Sequence, residues 1–187
     1  MYNTSKVVFS PRVRKSPYFN STIKYGATAF SVYNHMYMPV TYDGTVEDYK
    51  KLLNGVQLWD VGVERQVQIK GPEAEAFAQF LTPRDIKKCS IGQAMYTPLT
   101  DFKGNLINDP VMLKIDKDCY WFSVSDGDLL LWAQGIAAGY KFDVDVDEPD
   151  VSPLQVQGPN STKLMIKVFG DWVNDISFYR FKEIEHK

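Results

Sequence analysis

Cysteine and histidine are scarce in this chain of 187 residues: Cys89 and Cys119 form no CxxC pair, and His35 and His186 are the only histidines. No metal cluster of familiar spacing can be assembled from that set, and both cysteines read as buried thiols in a reducing compartment. A charge excess is also lacking, since 21 Lys and Arg against 23 Asp and Glu leave a net charge of −2. Acids and bases are interspersed, so there is no basic face of the kind nucleic acid requires. No apolar run approaches the length of a bilayer span and the N-terminus has no apolar signal core, which argues against a membrane partner and for a cytoplasmic protein. A Gly-rich phosphate loop, a Ser-His-Asp set and a heptad seam are all missing. What is present is a 44% apolar composition, enough for one ordinary core or one domain plus part of a second.

Residues 1–20 carry Lys6, Arg12, Arg14 and Lys15 and read as a solvated arm, residues 21–181 as the folded region, and residues 182–187 as a tail. In "TVEDYKKLLNG", Thr45 is placed to cap a short helix that Gly55 stops. "RQVQIKGPEAEAFAQFL" alternates through Val67 and Ile69, turns at Gly71 and enters a helix with Pro72 in its first turn. The same grammar returns in "LQVQGPNSTKLMIKVFG", around Gly158 and Pro159, and suggests an internal repeat. Between the two lies a hairpin region, "AMYTPL", "LINDPVMLKI" and "CYWFSVS", followed by a helix that starts after Ser125 and stops near Gly139. "YKFDVDVDEP" alternates Phe142, Val144 and Val146 against Asp143, Asp145 and Asp147, a half-buried strand with a wet acidic side rather than a metal site. "ISFYRFKEIEHK" begins one more aromatic strand through Phe178 and Phe181. The fold class is therefore α+β, with antiparallel sheets and packed helices.

One interruption stands out in "DFKGNLINDPVML": Asn108, Asp109 and Pro110 break a run of Leu, Ile and Val. Asp is a poor strand former and Pro removes a ladder donor, so the triplet reads as a bulge, an edge or a turn, or as a place where a carboxylate is aimed into a pocket.

Four segments, "YNHMYMPVTY", "LWDVGVERQVQIKG", "KGNLINDPVML" and "LQVQGPNSTKL", occur in the order and at the spacing of the glycine-cleavage T-protein, or aminomethyltransferase, family, which the chain resembles over residues 27–181. Within it, "VYNHM", "WDVGVERQV" and "NDPV" are similar to tetrahydrofolate-dependent demethylases of dimethylsulfoniopropionate. Family members are longer, and the resemblance covers only their first half, which implies an incomplete folate-binding region. It implies tetrahydrofolate as cofactor and a small-molecule methyl donor as partner. Asp109 matches the acidic residue near folate N5, although the usual Asp-Asp pair is Asn108-Asp109 here and Pro110 follows. Glu64, Tyr96, Trp121 and Ser123 match pteridine-pocket positions, with Glu64 standing where Met is common, and Tyr33 matches the front of the substrate side.

Methyl transfer from a sulfonium needs alignment of donor and acceptor, a hold on the cation and management of a proton. A carboxylate and aromatic faces supply these. The plain readings compete: Asp-Pro is a turn dipeptide, Tyr96 and Trp121 suit a core, and His35 is either a donor to a substrate carboxylate or a structural side chain. Two functions follow, a tetrahydrofolate-dependent methyl or aminomethyl transferase using Asp109, or a non-catalytic folate-binding or assembly module or inactive fragment of such an enzyme. The donor stays open among aminomethyl-lipoyl protein, dimethylglycine-like amines and sulfonium compounds, with "YNHM" and "NDPV" leaning to the sulfonium. Uncovered strand edges leave self-association open.

Overall fold

The computed structural model describes residues 9–185. Helix α1 (Phe19–Lys24) leads into strands β1 (Ala29–Tyr33) and β2 (Met36–Thr41), which are joined by the two-residue turn of Asn34 and His35. Both turn residues have positive φ, 48° and 61°, the sign pattern a tight type I′ hairpin requires. Then come α2 (Thr45–Asn54), β3 (Gln57–Asp60), β4 (Gln66–Lys70) and α3 (Ala74–Phe80). The middle of the chain is antiparallel, with β5 (Gln93–Tyr96), β6 (Leu99–Thr100), β7 (Leu106–Asn108), β8 (Val111–Asp116) and β9 (Cys119–Ser123). Helix α4 (Leu129–Tyr140), β10 (Asp145–Asp147), β11 (Leu154–Gln157) and α5 (Ser161–Phe169) complete the order.

Five strands form the central sheet in the order β10-β4-β9-β8-β5, every pair antiparallel. Alternation along each strand divides its residues between two faces. Val67, Ile69, Met112, Tyr120 and Phe122 are buried on one face, under Ala74, Phe77 and Ala78 of α3 and Leu129, Ala133 and Ala137 of α4. The other face is half-open, and it carries the polar and aromatic residues described below.

The two Gly-Pro corners form a structural repeat with a shared physical cause. Gly71 has φ +142°, and a Cβ there would lie 2.8 Å from the Asp143 carbonyl oxygen; Gly158 has φ +130° and is pressed as closely against the carbonyl of Gly55. Each corner thus lets a strand turn beneath the backbone that leads into its neighbour, and neither has room for a side chain. The neighbours are exchanged along the chain: β3 pairs with the distant β11, whereas β4, which follows it, pairs with β10.

Several local expectations need correction. Gly44, not Thr45, occupies the N-cap position of α2, while Asp48 reaches back to accept from the Tyr42 and Asp43 amides at 2.8 and 3.2 Å. Pro72 and Pro159 lie in turns just ahead of their helices. Helix α4 runs through Gly139 to Tyr140 and is stopped by Lys141 in the left-handed region, φ 59°. Residues 176–181 build no ladder; they make a single bridge, Arg180 to Gln93, and leave Phe178 90% exposed. The stretch read as a solvated arm is docked from Phe9 onward: that ring stacks edge-on against Phe19, Phe30 and Tyr37 at 4.9–5.4 Å, and Arg14 pairs with Glu148 at 3.0 Å. Lys6 and His186 lie outside the described residues. Along 142–147 the aspartates are exposed and the apolar residues half-buried, as the alternation implies, but only Asp145–Asp147 pair as a strand. Cys89 and Cys119 are buried free thiols, each pushed up by desolvation.

Candidate functional site

Register alone collects three of the expected pocket residues on the half-open sheet face. Tyr96 pairs with Val111, Val111 with Ser123, and Ser123 with Gln66, giving one row across four strands. The next row runs Ala94, Leu113, Trp121, Gln68 and Asp147. Because partners in register point to the same side, Tyr96, Ser123 and Trp121 share a face. Two glutamines of β4 hold the last two: Gln66 Nε2 donates to Ser123 Oγ at 2.9 Å, and the Trp121 indole N–H donates to Gln68 Oε1 at 2.9 Å.

The Asn108-Asp109-Pro110 interruption is the corner where the chain leaves β7 and enters β8. Asn108 is buried and bonds both backbone groups of Ser125, accepting from its amide at 3.0 Å and donating to its carbonyl at 3.1 Å. The Thr97 amide donates to the Pro110 carbonyl at 2.9 Å, which ties the corner to the end of β5. Asp109 follows as a half-buried carboxylate: Ser125 Oγ donates to its Oδ1 at 2.6 Å, and the Tyr96 hydroxyl lies 3.4 Å from its Oδ2. No cation pairs with it among the described residues. Tyr96 is raised by desolvation first and by the adjacent Asp109 charge second.

Asn34 locks three loops together. Its Nδ2 donates to the Val63 carbonyl at 2.9 Å, its Oδ1 accepts from the Gly127 amide at 2.8 Å, and its own amide donates to Asp126 Oδ1 at 2.8 Å. The β1–β2 turn, with Tyr33 and His35, is thereby joined to the loop bearing Glu64 and to the loop that follows Ser125. His35 Nε2 lies 3.0 Å from Asp128 Oδ1. Tyr33 is half-buried at the end of β1. Glu64 is half-buried too, and desolvation pushes its carboxyl above the usual carboxylate range. The neighbouring Arg65 is committed to Glu148 through both Nε, at 2.8 Å, and Nη2.

Asp109, Tyr96, Ser123 and Trp121 are therefore gathered on one side of the sheet, and Glu64, Tyr33 and His35 are joined to that side through Asn34 and Gln66. The surface hollow of about 450 Å³ between α4 and β10 is elsewhere, lined by residues such as Gln134, Ala137 and Val146. Sequence reasoning missed Asn34, Ser125 and the two glutamines as holding residues. Asn34 had a readable signal, since Asn before His between two β-rich runs suits a turn with positive φ.

The α+β scaffold thus presents a carboxylate, an indole and a phenol on one side of an antiparallel sheet. The sequence matches the GCVT N-terminal domain family over residues 18–187, and the chain belongs to that family. It is similar to dimethylsulfoniopropionate demethylase DmdA of Ruegeria pomeroyi, 45% identical over 94% of this chain and 48% of that protein. It is also similar to an aminomethyltransferase of Desulfitobacterium hafniense, 26% identical over 79% of this chain and 41% of that one. The crystal structure of glycine cleavage system aminomethyltransferase T from Bartonella henselae superposes with a TM-score of 0.79 at 20% identity, covering 90% of this chain and 46% of that one. The chain spans about half the length of these relatives.

Proposed function

We propose that this chain carries part of the active site of a tetrahydrofolate-dependent methyl or aminomethyl transferase, and that its donor is a small sulfonium such as dimethylsulfoniopropionate. The observation that carries the reading is Asp109, a half-buried carboxylate held by Ser125 and Tyr96 beside an indole-bearing sheet face. The 45% identity to the demethylase supports the sulfonium donor over an amine.

The donor set suits a pterin: Trp121 offers a flat apolar face, Tyr96 and Ser123 offer hydroxyls, and Asp109 offers an acceptor bound only to neutral groups. Tyr96, Trp121 and Ser123 would hold the ring. When bound, tetrahydrofolate supplies N5 as the nucleophile that takes the methyl group, giving 5-methyl-tetrahydrofolate. Ser125 fixes Asp109 Oδ1, and Oδ2, met only by the Tyr96 hydroxyl at 3.4 Å, keeps a lone pair that would accept the proton lost from N5, while the donor's sulfur would leave as a neutral thioether with the bonding electron pair. The charge of Asp109 counts for more on a partly desolvated face than in water. Tyr33 and His35 border the donor's side.

The test is formation of 5-methyl-tetrahydrofolate by the complete gene product from tetrahydrofolate and dimethylsulfoniopropionate. Asp109→Asn, whose amide oxygen still accepts from Ser125, should lower turnover by about a hundredfold or more with an unchanged circular-dichroism spectrum. Wild-type turnover in that variant would overturn the role of Asp109. Folate binding without product would instead favour a non-catalytic folate-binding module.

A further inference from the structure

Every other acid around the Asn34 junction is satisfied. Asp109 has Ser125 and Tyr96, Asp126 has the Asn34 amide, Asp128 has His35, and Glu148 has Arg65 and Arg14. Deeper in, Asp60 has the Ser16 hydroxyl and the Gly62 amide. Glu64 differs. Its carboxylate has neither a hydrogen bond nor an ion pair among the described residues, although it is half-buried and the adjacent residue is an arginine. That arginine is turned away, with two guanidinium nitrogens on Glu148, and Arg14 binds Glu148 as well. A partly desolvated carboxylate without a partner is costly, and the arginine next to it in sequence is committed elsewhere.

The backbone around Glu64 fixes where this charge sits. The Val63 carbonyl is gripped by Asn34 of the Tyr33–His35 turn, and the Glu64 carbonyl accepts from Gln66 Nε2, which also donates to Ser123 Oγ. The Arg65 carbonyl accepts from the Val124 amide at 3.0 Å, one residue before Ser125. Glu64 thus stands between the turn that carries Tyr33 and the face that carries Asp109.

We infer that Glu64 is the specificity-determining counter-charge for the cationic head of the methyl donor, rather than a group that holds the pterin. The inference rests on the function proposed above and assigns one feature of it, recognition of positive charge on the donor. A trialkylsulfonium head cannot donate a hydrogen bond, so a bare carboxylate suits it better than a hydroxyl or an amide would.

The experiment uses the complete gene product and equilibrium titration of three ligands: dimethylsulfoniopropionate, its uncharged-head isostere 4-methylpentanoate, and tetrahydrofolate. Wild type should prefer the sulfonium over the isostere by about tenfold or more. Glu64→Gln and Glu64→Met should each remove that preference, leaving affinity for 4-methylpentanoate and for tetrahydrofolate within about threefold of wild type. A preference that survives both substitutions, or its absence in wild type, overturns the inference. Loss of tetrahydrofolate binding with the sulfonium preference retained also overturns it, since Glu64 would then face the pterin and the proposed function would stand. If wild type binds neither dimethylsulfoniopropionate nor tetrahydrofolate, the proposed function fails and this assignment fails with it.

Discussion

Asn108 shows how much a single side chain can hold at this site. Its amide satisfies both backbone groups of Ser125, and Ser125 in turn fixes Asp109. Asn108→Asp turns the donor into an oxygen that repels the Ser125 carbonyl, and should cost about 2–3 kcal/mol in chemical denaturation. Glu64 works in the opposite direction. Its folded-state carboxyl is raised by burial, so its contribution to stability is present below the unfolded-state value and is lost as pH rises through the folded one. Glu64→Gln should therefore be more stable than wild type at pH 7, with the difference shrinking toward pH 4; a variant less stable at pH 7 would assign Glu64 a structural bond instead.

At the scale of elements, the Gly-Pro corners are where strand and helix meet without room for a side chain. Gly71→Ala would bring a Cβ to 2.8 Å from the Asp143 carbonyl at a φ of +142°, and should cost about 2 kcal/mol or more, measured by denaturant midpoint. This repeat was legible in the sequence because Gly, Pro and the change of period from two to 3.6 are local signals. The central hairpins and the alternating aspartate strand were legible for the same reason. What was not legible depends on distant backbone. The Arg180 bridge exists because the edge of β5 passes near it, and Phe9 docks because Phe19, Phe30 and Tyr37 converge there. At the candidate site, Asp109, Tyr96 and Trp121 were named through the family resemblance, since by residue type the two aromatics suit a core, whereas Gln66, Gln68 and Ser125 become holders only once the register aligns them.

Across the whole molecule, Glu148 is the long-range tie, joining the N-terminal segment through Arg14 to the start of β4 through Arg65. Burial alone would raise its carboxyl, but the two guanidiniums outweigh it and hold Glu148 below the ordinary carboxylate range. The stability it supplies is present above the unfolded-state value and lost as pH falls through the depressed one. Glu148→Gln should thus remove about 2 kcal/mol near pH 7 and flatten the acid limb of a stability-versus-pH curve.

The exchange of neighbours between β3, β4, β10 and β11 braids the chain, since consecutive strands serve different sheets. Two chain connections, β3 to β4 and β10 to β11, therefore tie the β3–β11 pair to the central sheet, and the two are expected to unfold as one cooperative unit. Trp59 on β3 and Trp121 on β9 report on the two sheets separately. Single-tryptophan versions that keep one or the other should lose structure at the same denaturant concentration, and two separated midpoints would show that the braid does not bind the sheets into one cooperative unit.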